Sequence, residues 1–405
     1  MAALSESRTV PAAFGFIGAE HPFHDQIGPL REYITRSSAH SRLRARLEAG
    51  LPACIHAEIK GDYQADGWTL ERCYYSIQYP EPSRPGGYYA WSLHYRRGDA
   101  APRIVEFPCD PKLATLQRLW SAVPAGGEQV LRYVPLRRLT FLQPADRSGP
   151  ARIGKVKKPH RCADGYARLQ AVASAGEAGC SIPRPLGLDL EQGLFYQEKL
   201  PGEEAGRLLN WRNYQDYLTG IGEVHARLRR LPTARMERWD RCGVLANVWT
   251  DLHWIGFHLP EHQALLERVG HRLHRRMATL TPVEAAFCHG DFACSQVLCH
   301  ELGWSVVDFD LSGVGDPYQD AAMFLASLAY DVPLFSHRPE LLDAAAGYYL
   351  CGYREAAPAL DAATLDWYRA CAEIYHLALM LKKDRHCDAA CRRAMQRLCR
   401  LLEVH

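Results

Sequence analysis

The residues best suited to chemistry lie between Phe287 and Asp310. An apolar run ends in His289-Gly290-Asp291, an amide follows five residues after Asp291 at Gln296, and a strand-like segment, Trp304 to Val307, delivers Asp308 and then Asp310. Turns separate the pieces, the second marked by Gly303. Carried on adjoining hairpin strands, a carboxylate, an amide and a second carboxylate converge in space. Phosphoryl transfer to an alcohol needs that set: one carboxylate to accept the hydroxyl proton, and oxygen ligands for the metal on the phosphates. Asp291 suits the first task. The Gln296 carbonyl and Asp308 suit the second, since Mg²⁺ takes one or two protein oxygens and fills its shell with phosphate and water. His289 is read as a brace for the loop. Asp310 is either a further acid on the metal side or a hydrogen-bond anchor.

Several elements must position these groups. The spacing predicts amphipathic helices from Pro29 to Leu47, ending near Gly50. Aromatic strands follow at 73–79 and 88–95, joined by a Pro/Gly turn at 80–87. A short helix is expected at 110–120 and a linker at Pro124-Ala125-Gly126-Gly127. Residues 129–141 read as one strand, 144–150 as a turn and 151–157 as the return strand. A helix over 163–175 and a strand over 193–200 complete a small sheet that ends at Pro201-Gly202. Beyond it the pattern is helical at 214–231, 258–280, 320–329, 339–353, 360–382 and 389–402. His225 falls on the apolar stripe of the first of these and reads as a core histidine.

With 405 residues, 47% hydrophobic and 23% charged, the chain can bury a large core without a metal or disulfide staple. A formal net charge of +2 offers no footprint for nucleic acid. No apolar run reaches bilayer length and no signal-peptide pattern opens the chain, so no membrane partner and a cytoplasmic location are expected. The 14 cysteines are scattered and read as reduced, small hydrophobes.

The blocks at 289–296, Val306-Val307-Asp308-Phe309-Asp310 and Gly315-Asp316-Pro317-Tyr318-Gln319-Asp320 resemble the aminoglycoside phosphotransferase and choline kinase branch of the protein-kinase-like fold. The resemblance covers roughly residues 128–400. It implies an α+β, bilobal, protein-kinase-like fold: an N-terminal α/β cap region at 1–125, a small antiparallel-sheet lobe at 126–202 and a mostly helical lobe at 203–405. It implies ATP and Mg²⁺ as cofactors and a small-molecule hydroxyl, on a sugar, aminoglycoside or amino alcohol, as acceptor. By the same resemblance Lys155, with Lys157 and Lys158 as rivals, holds the α/β-phosphates. Asp164 (or Glu177) is its partner acid, and the Glu198 carbonyl and Leu200 amide read adenine. Asp251, Trp254, Glu355, Asp366 and Glu373 are candidates on the acceptor side. Asp316 and Asp320 clamp the catalytic loop. No G-x-G-x-x-G precedes Lys155, and Gln296 stands where the family usually has Asn, a feature similar to maltokinase-type sugar kinases. Arg132, Arg137 and Arg138 either reach the phosphates or point outward. A peptide hydroxyl as acceptor, or a nucleotide-binding pseudokinase, are the alternatives.

Overall fold

The structure is a computed structural model that describes residues 32–35, 69–78, 88–96, 103–105, 113, 115–121, 128–134, 138–145, 147, 149–175, 179–231, 233, 236–382 and 388–403. Four strands come first: β1 (Glu32–Thr35), β2 (Thr69–Gln78), β3 (Tyr88–Arg96) and β4 (Arg103–Val105), in that spatial order. The aromatic hairpin is β2–β3, with Tyr75 opposite Trp91 and Ile77 opposite Tyr89. The helix expected from Pro29 onward is corrected: Glu32–Thr35 is a strand, parallel to β2. Tyr33, Ile34 and Thr35 are strand formers, and pairing with a neighbour outweighs weak helical spacing.

Helix α1 (Thr115–Ser121) precedes a five-stranded antiparallel sheet of β5 (Gln129–Val134), β6 (Arg138–Gln143), β7 (Arg152–Lys157), β8 (Pro185–Asp189) and β9 (Leu194–Glu198), in the order β5-β6-β7-β9-β8. The single strand expected over 129–141 is two strands in a hairpin. Pro135, which has no N–H to donate, lies between them in the sequence and disfavours a continuous strand there. One face of this sheet buries Leu139, Phe141, Val156 and Leu194 against Leu113 and Leu116. The Thr115 hydroxyl also donates to the Gln192 carbonyl at 2.6 Å. Leu113 and Leu116, which precede the expected boundary at 125/126, thus share this packed core. The other face receives α2 (Pro159–Ala173), whose Cys162, Gly165, Leu169 and Val172 are buried at helical spacing.

The remaining chain is largely helical. After β10 (Glu203–Glu204) and a short α3 (Ala205–Leu208) come α4 (Tyr214–Leu228), α5 (Arg241–His258) and α6 (Gln263–Met277). Then follow β11 (Ala286–Cys288), β12 (Val297–His300), β13 (Gly303–Val306) and β14 (Gly313–Gly315). Helices α7 (Tyr318–Asp331), α8 (Pro333–His337), α9 (Leu342–Ala356), α10 (Ala362–Lys382) and α11 (Asp388–Leu402) close the chain. The core of this lobe runs from Leu218, Ile221 and Val224 of α4 to Tyr349 of α9, Trp367 and Ile374 of α10 and Leu398 of α11. Gly222 of α4 and Gly352 of α9 mark where two helices touch backbone to backbone: a Cβ on Gly222 would lie 2.1 Å from the Tyr349 carbonyl oxygen. Among the described residues no helix is long and apolar enough to cross a membrane.

Candidate active site

Two small ladders bring the catalytic segments together. Strand β11 pairs antiparallel with β14, Phe287 opposite Val314, so that His289-Gly290-Asp291 leaves the end of a buried strand. Strands β12 and β13 form a hairpin with Val297 opposite Val306. The two ladders are stitched at Val307. Its N–H donates to the Gln296 carbonyl at 3.0 Å, and its carbonyl accepts from Nε2 of His289 at 2.9 Å. His289 is fully buried against the rings of Phe292 and Phe309. Its Nδ1 faces the Asp291 N–H at 3.4 Å. Both ring nitrogens thus serve backbone groups, a bracing geometry with no nitrogen turned to a reactant.

Asp320, at the start of α7, completes the loop. Its Oδ1 accepts from Gly290 N–H at 2.9 Å and its Oδ2 from His289 N–H. Burial pushes its pKa up, against the pull of those two donors. Asp316 accepts from the Arg241 guanidinium at 2.8 Å and from the Tyr318 N–H at 3.1 Å. Gly290 has φ of +88°, and a Cβ there would lie 2.3 Å from the Leu311 carbonyl oxygen and 2.7 Å from the Trp239 ring. Gly290→Ala is therefore expected to cost about 1–3 kcal/mol of stability and to displace Asp291. Chemical unfolding of the variant at wild-type midpoint and slope would show that the loop tolerates the methyl group.

Asp308 is one of two described non-glycine residues with positive φ, at φ 69°, ψ 50°. Aspartate tolerates that left-handed conformation better than most residues, at a cost the surrounding contacts must hold. Lys155 supplies the main contact, with Nζ 2.6 Å from Oδ1 of Asp308 and 3.0 Å from Oδ1 of Asp310. Lys157 takes the other oxygen of Asp310. Burial alone would raise the Asp308 carboxyl, but Lys155, Arg138 and Lys157 hold it far below its ordinary value. Burial likewise opposes the Lys155 charge, and Asp308 and Asp310 raise its pKa in spite of that.

This arrangement corrects one expectation, for Asp164, and selects the anchor alternative for Asp310 over the metal-side one. Asp164 does not meet Lys155: it is exposed on α2, and the adjacent Gly165 faces Lys157 and Asp310. One residue along a helix is a rotation of about 100°, enough to turn the side chain away. Asp310 is not left open to a metal, because each of its oxygens holds a lysine and its side chain is only 3% exposed. Asp310 anchors the lysines, the task the sequence reading gave Asp164. Its carbonyl also accepts from Arg168, whose other nitrogen pairs with Glu237 at 2.7 Å. Glu177 lies outside the described residues.

Asp291 is half-buried beside this cluster. Burial and the Asp308 charge push its pKa up to about 6, against the pull of His289, Arg138 and Arg132. Tyr375 of α10 and Asp251 of α5 complete this side: burial first, then the Asp291 and Asp251 charges, raise the Tyr375 phenol. Helix α5 was not foreseen, although Leu245, Val248, Leu252 and Ile255 form a helical stripe. Of the other acceptor-side candidates, Glu373 is committed to Arg397 and the Tyr330 hydroxyl, and Asp366 to Arg369. Glu355 is exposed, and the Trp254 side chain lies outside the described residues. His225 is buried against Phe292 and bonded to the Tyr349 hydroxyl, with burial holding its pKa down to about 3.

Gln296 sits half-buried on the turn before β12. Asp308 and the Gln296 amide offer oxygen donors, and Lys155 bonds only one Asp308 oxygen. Such a set fits a hard divalent cation that brings phosphate oxygens and water of its own. No group of three or more His, Cys, Asp or Glu side chains suited to a metal occurs among the described residues, and the cysteines from Cys162 to Cys399 among them are free thiols. At the segment joining the lobes, the Glu198 carboxylate pairs with Arg184 at 3.1 Å and Leu200 is buried.

The family model of the phosphotransferase enzyme family matches residues 145–372, more than half of the chain. No curated protein sequence matches. Among solved structures, a thermostable mutant of aminoglycoside phosphotransferase APH(4)-Ia in its apo form is similar at 16% identity, with 72% of this chain and 98% of that one covered and a TM-score of 0.50. Its ternary complex with ADP and hygromycin B is similar at 15% identity, with 71% and 97% covered and a TM-score of 0.50. A choline/ethanolamine kinase family protein from Mesorhizobium loti shares 16% identity, with 71% and 92% covered and a TM-score of 0.45. At these identities the likeness is one of fold: a bilobal α+β arrangement with a small antiparallel sheet and a helical lobe.

Proposed function

From the premise that the chain belongs to the phosphotransferase enzyme family, we propose that it transfers the γ-phosphoryl group of Mg-ATP to a hydroxyl of a small molecule. The observation that carries this reading is the Lys155–Asp308 ion pair at 2.6 Å with Asp291 near enough for the Asp308 charge to act on it. A pseudokinase is disfavoured by the same observation, since all three groups that transfer would use are present.

Asp291 is the base. Its carboxylate takes the acceptor's hydroxyl proton while the acceptor oxygen forms a bond to the γ-phosphorus. The bond from that phosphorus to the β,γ-bridging oxygen breaks, and its electron pair leaves on ADP. Asp308 and the Gln296 amide would hold the divalent cation, which neutralises phosphate charge when bound. Lys155 holds Asp308 in its left-handed conformation and presents a buried cation to the α/β-phosphates. The Glu198 carbonyl and Leu200 amide would read the adenine edge. The acceptor would lie between Asp291, Asp251 and Tyr375, a side whose carboxylates suit an acceptor rich in hydroxyls and amines. The hygromycin B and ADP bound together by the APH(4)-Ia mutant are a precedent for that pairing. We also propose the three-part division of the chain at 1–125, 126–202 and 203–405, with Leu113 and Leu116 packed onto the sheet lobe.

Two measurements test the reading. Mg-ATP is expected to raise the melting temperature of the full chain, and ADP release is expected with at least one sugar, aminoglycoside or amino alcohol. A base works only when ionised, so kcat/KM falls about tenfold per pH unit below about 6, the Asp291 value. A rate that is flat from pH 7 to 4.5 would remove Asp291 from the role of base.

A further inference from the structure

We infer that Arg132 and Arg138, carried over the cleft by the β5–β6 hairpin, grip the transferring phosphate and do the work of the glycine-rich loop this chain lacks. This deepens the proposed function and rests on it. The sheet register carries the argument. Lys155 of β7 lies opposite Thr140 of β6, and Thr140 lies opposite Arg132 of β5. In the next row Lys157 lies opposite Arg138, and Arg138 opposite Val134. Directly opposed residues share a sheet face. Arg132 and Arg138 therefore stand on the face that carries Lys155 and Lys157, the face turned to Asp308 and Asp310.

The four cations are not equally committed. Lys155 and Lys157 are bound to Asp308 and Asp310. Neither arginine makes an ion pair among the described residues, and Nε of Arg132 is buried with no hydrogen-bond partner. A buried guanidinium edge without a partner is costly unless an anion comes to it. Both arginines are close enough for their charges to interact with Asp291 and with Asp308. From the face that carries Lys155 their charges thus reach both the base and the metal-side carboxylate, between which a γ-phosphate must pass. The planar fork of a guanidinium matches two phosphate oxygens at once. As the acceptor oxygen bonds to phosphorus and the bridging bond breaks toward ADP, negative charge shifts onto the oxygens that this fork would hold. The acceptor proton still goes to Asp291, so the arginines stabilise charge and transfer no atom.

The test is a binding titration of the full-length wild type, Arg132→Gln, Arg138→Gln and the double variant with Mg-ATP and, separately, Mg-ADP. The wild type is expected to prefer the triphosphate. The double variant is expected to lose about tenfold or more of its Mg-ATP affinity with little change for Mg-ADP, which erases the preference. Arg138→Lys is expected to recover part of the loss, because a lysine restores charge without the fork. A merely structural role would weaken both nucleotides alike, and that result overturns the inference, as does a double variant that keeps the wild-type preference. If Arg132→Gln does not fold, Arg132→Lys combined with Arg138→Gln gives the same readout. A wild type that binds neither nucleotide overturns the proposed function and this inference together. A wild type that binds Mg-ATP, beside variants that bind it equally well, removes the clamp alone.

Discussion

Asp291→Asn is expected to lower phosphoryl transfer by about 100- to 10,000-fold, the usual contribution of a general base, and to raise the melting temperature at pH 7.5. The second effect follows from the environment of the carboxyl. Burial and the neighbouring Asp308 push its pKa up to about 6 from an ordinary value of 3.8. A carboxyl raised on folding contributes stability that is fully present below its unfolded value and is lost as pH rises through about 6. At pH 7.5 the wild type therefore bears an ionised group the fold disfavours. After allowance for partial exposure, the penalty is about 1–3 kcal/mol. Asparagine keeps the shape and removes the charge, so the variant gains stability at pH 7.5 and no longer differs from wild type near pH 3.5. Thermal melts at both pH values, beside a turnover assay, check this. A variant that melts lower at pH 7.5, or that turns over at the wild-type rate, would show that Asp291 is neither strained by its charge nor the base.

Lys155→Met should be the most destabilising single change in the site. It leaves the Asp308 charge without its partner at 2.6 Å and Asp310 with Lys157 alone. Removing one member of a buried ion pair costs about 3–5 kcal/mol. Both partners set the pH window. Lys155 has a raised pKa, so its share is present below the ordinary lysine value and is lost as pH rises through the higher folded value. Asp308 has a depressed pKa, so its share is present above the ordinary carboxylate value and is lost as pH falls through the lower folded value. The gap between variant and wild type is thus widest near neutrality and narrows in strong acid, where Asp308 protonates. Combining Lys155→Met with Asp308→Asn should return much of the stability and none of the nucleotide affinity. Chemical unfolding of the three proteins at pH 7 checks the first part and Mg-ATP titration the second. A single variant as stable as wild type would mean the pair is not a structural tie.

Much of the site was legible because short-range spacing carried it. His289, Asp291, Gln296 and Asp308 lie on two tight ladders within about 20 residues, where turns and apolar runs fix which segments meet. Lys155 is reached through the family resemblance, with Lys157 and Lys158 as rivals, and lies on strand β7. Asp310 takes the lysine-anchoring task expected of Asp164, because helical phase over one residue turns Asp164 to solvent and Gly165 inward. The two arginines could be listed but not aimed. Their direction depends on register across β5, β6 and β7, and that register follows from the β5–β6 pairing, which the strand-like pattern over 129–141 does not reveal. The aromatic β2–β3 hairpin is visible from its strand formers around a Pro/Gly turn, whereas β1 is not, since four residues inside a helix-like spacing pattern declare a strand only by pairing.

The most direct test is phosphorus NMR of Mg-ATP incubated with the full chain and a set of sugars, aminoglycosides and amino alcohols, with Asp291→Asn as the control. The expected result is decay of the γ-phosphate resonance with growth of a phosphomonoester resonance on one acceptor class, both absent with the variant. Tight Mg-ATP binding with no phosphoester on any acceptor, or equal product from the variant, would contradict it.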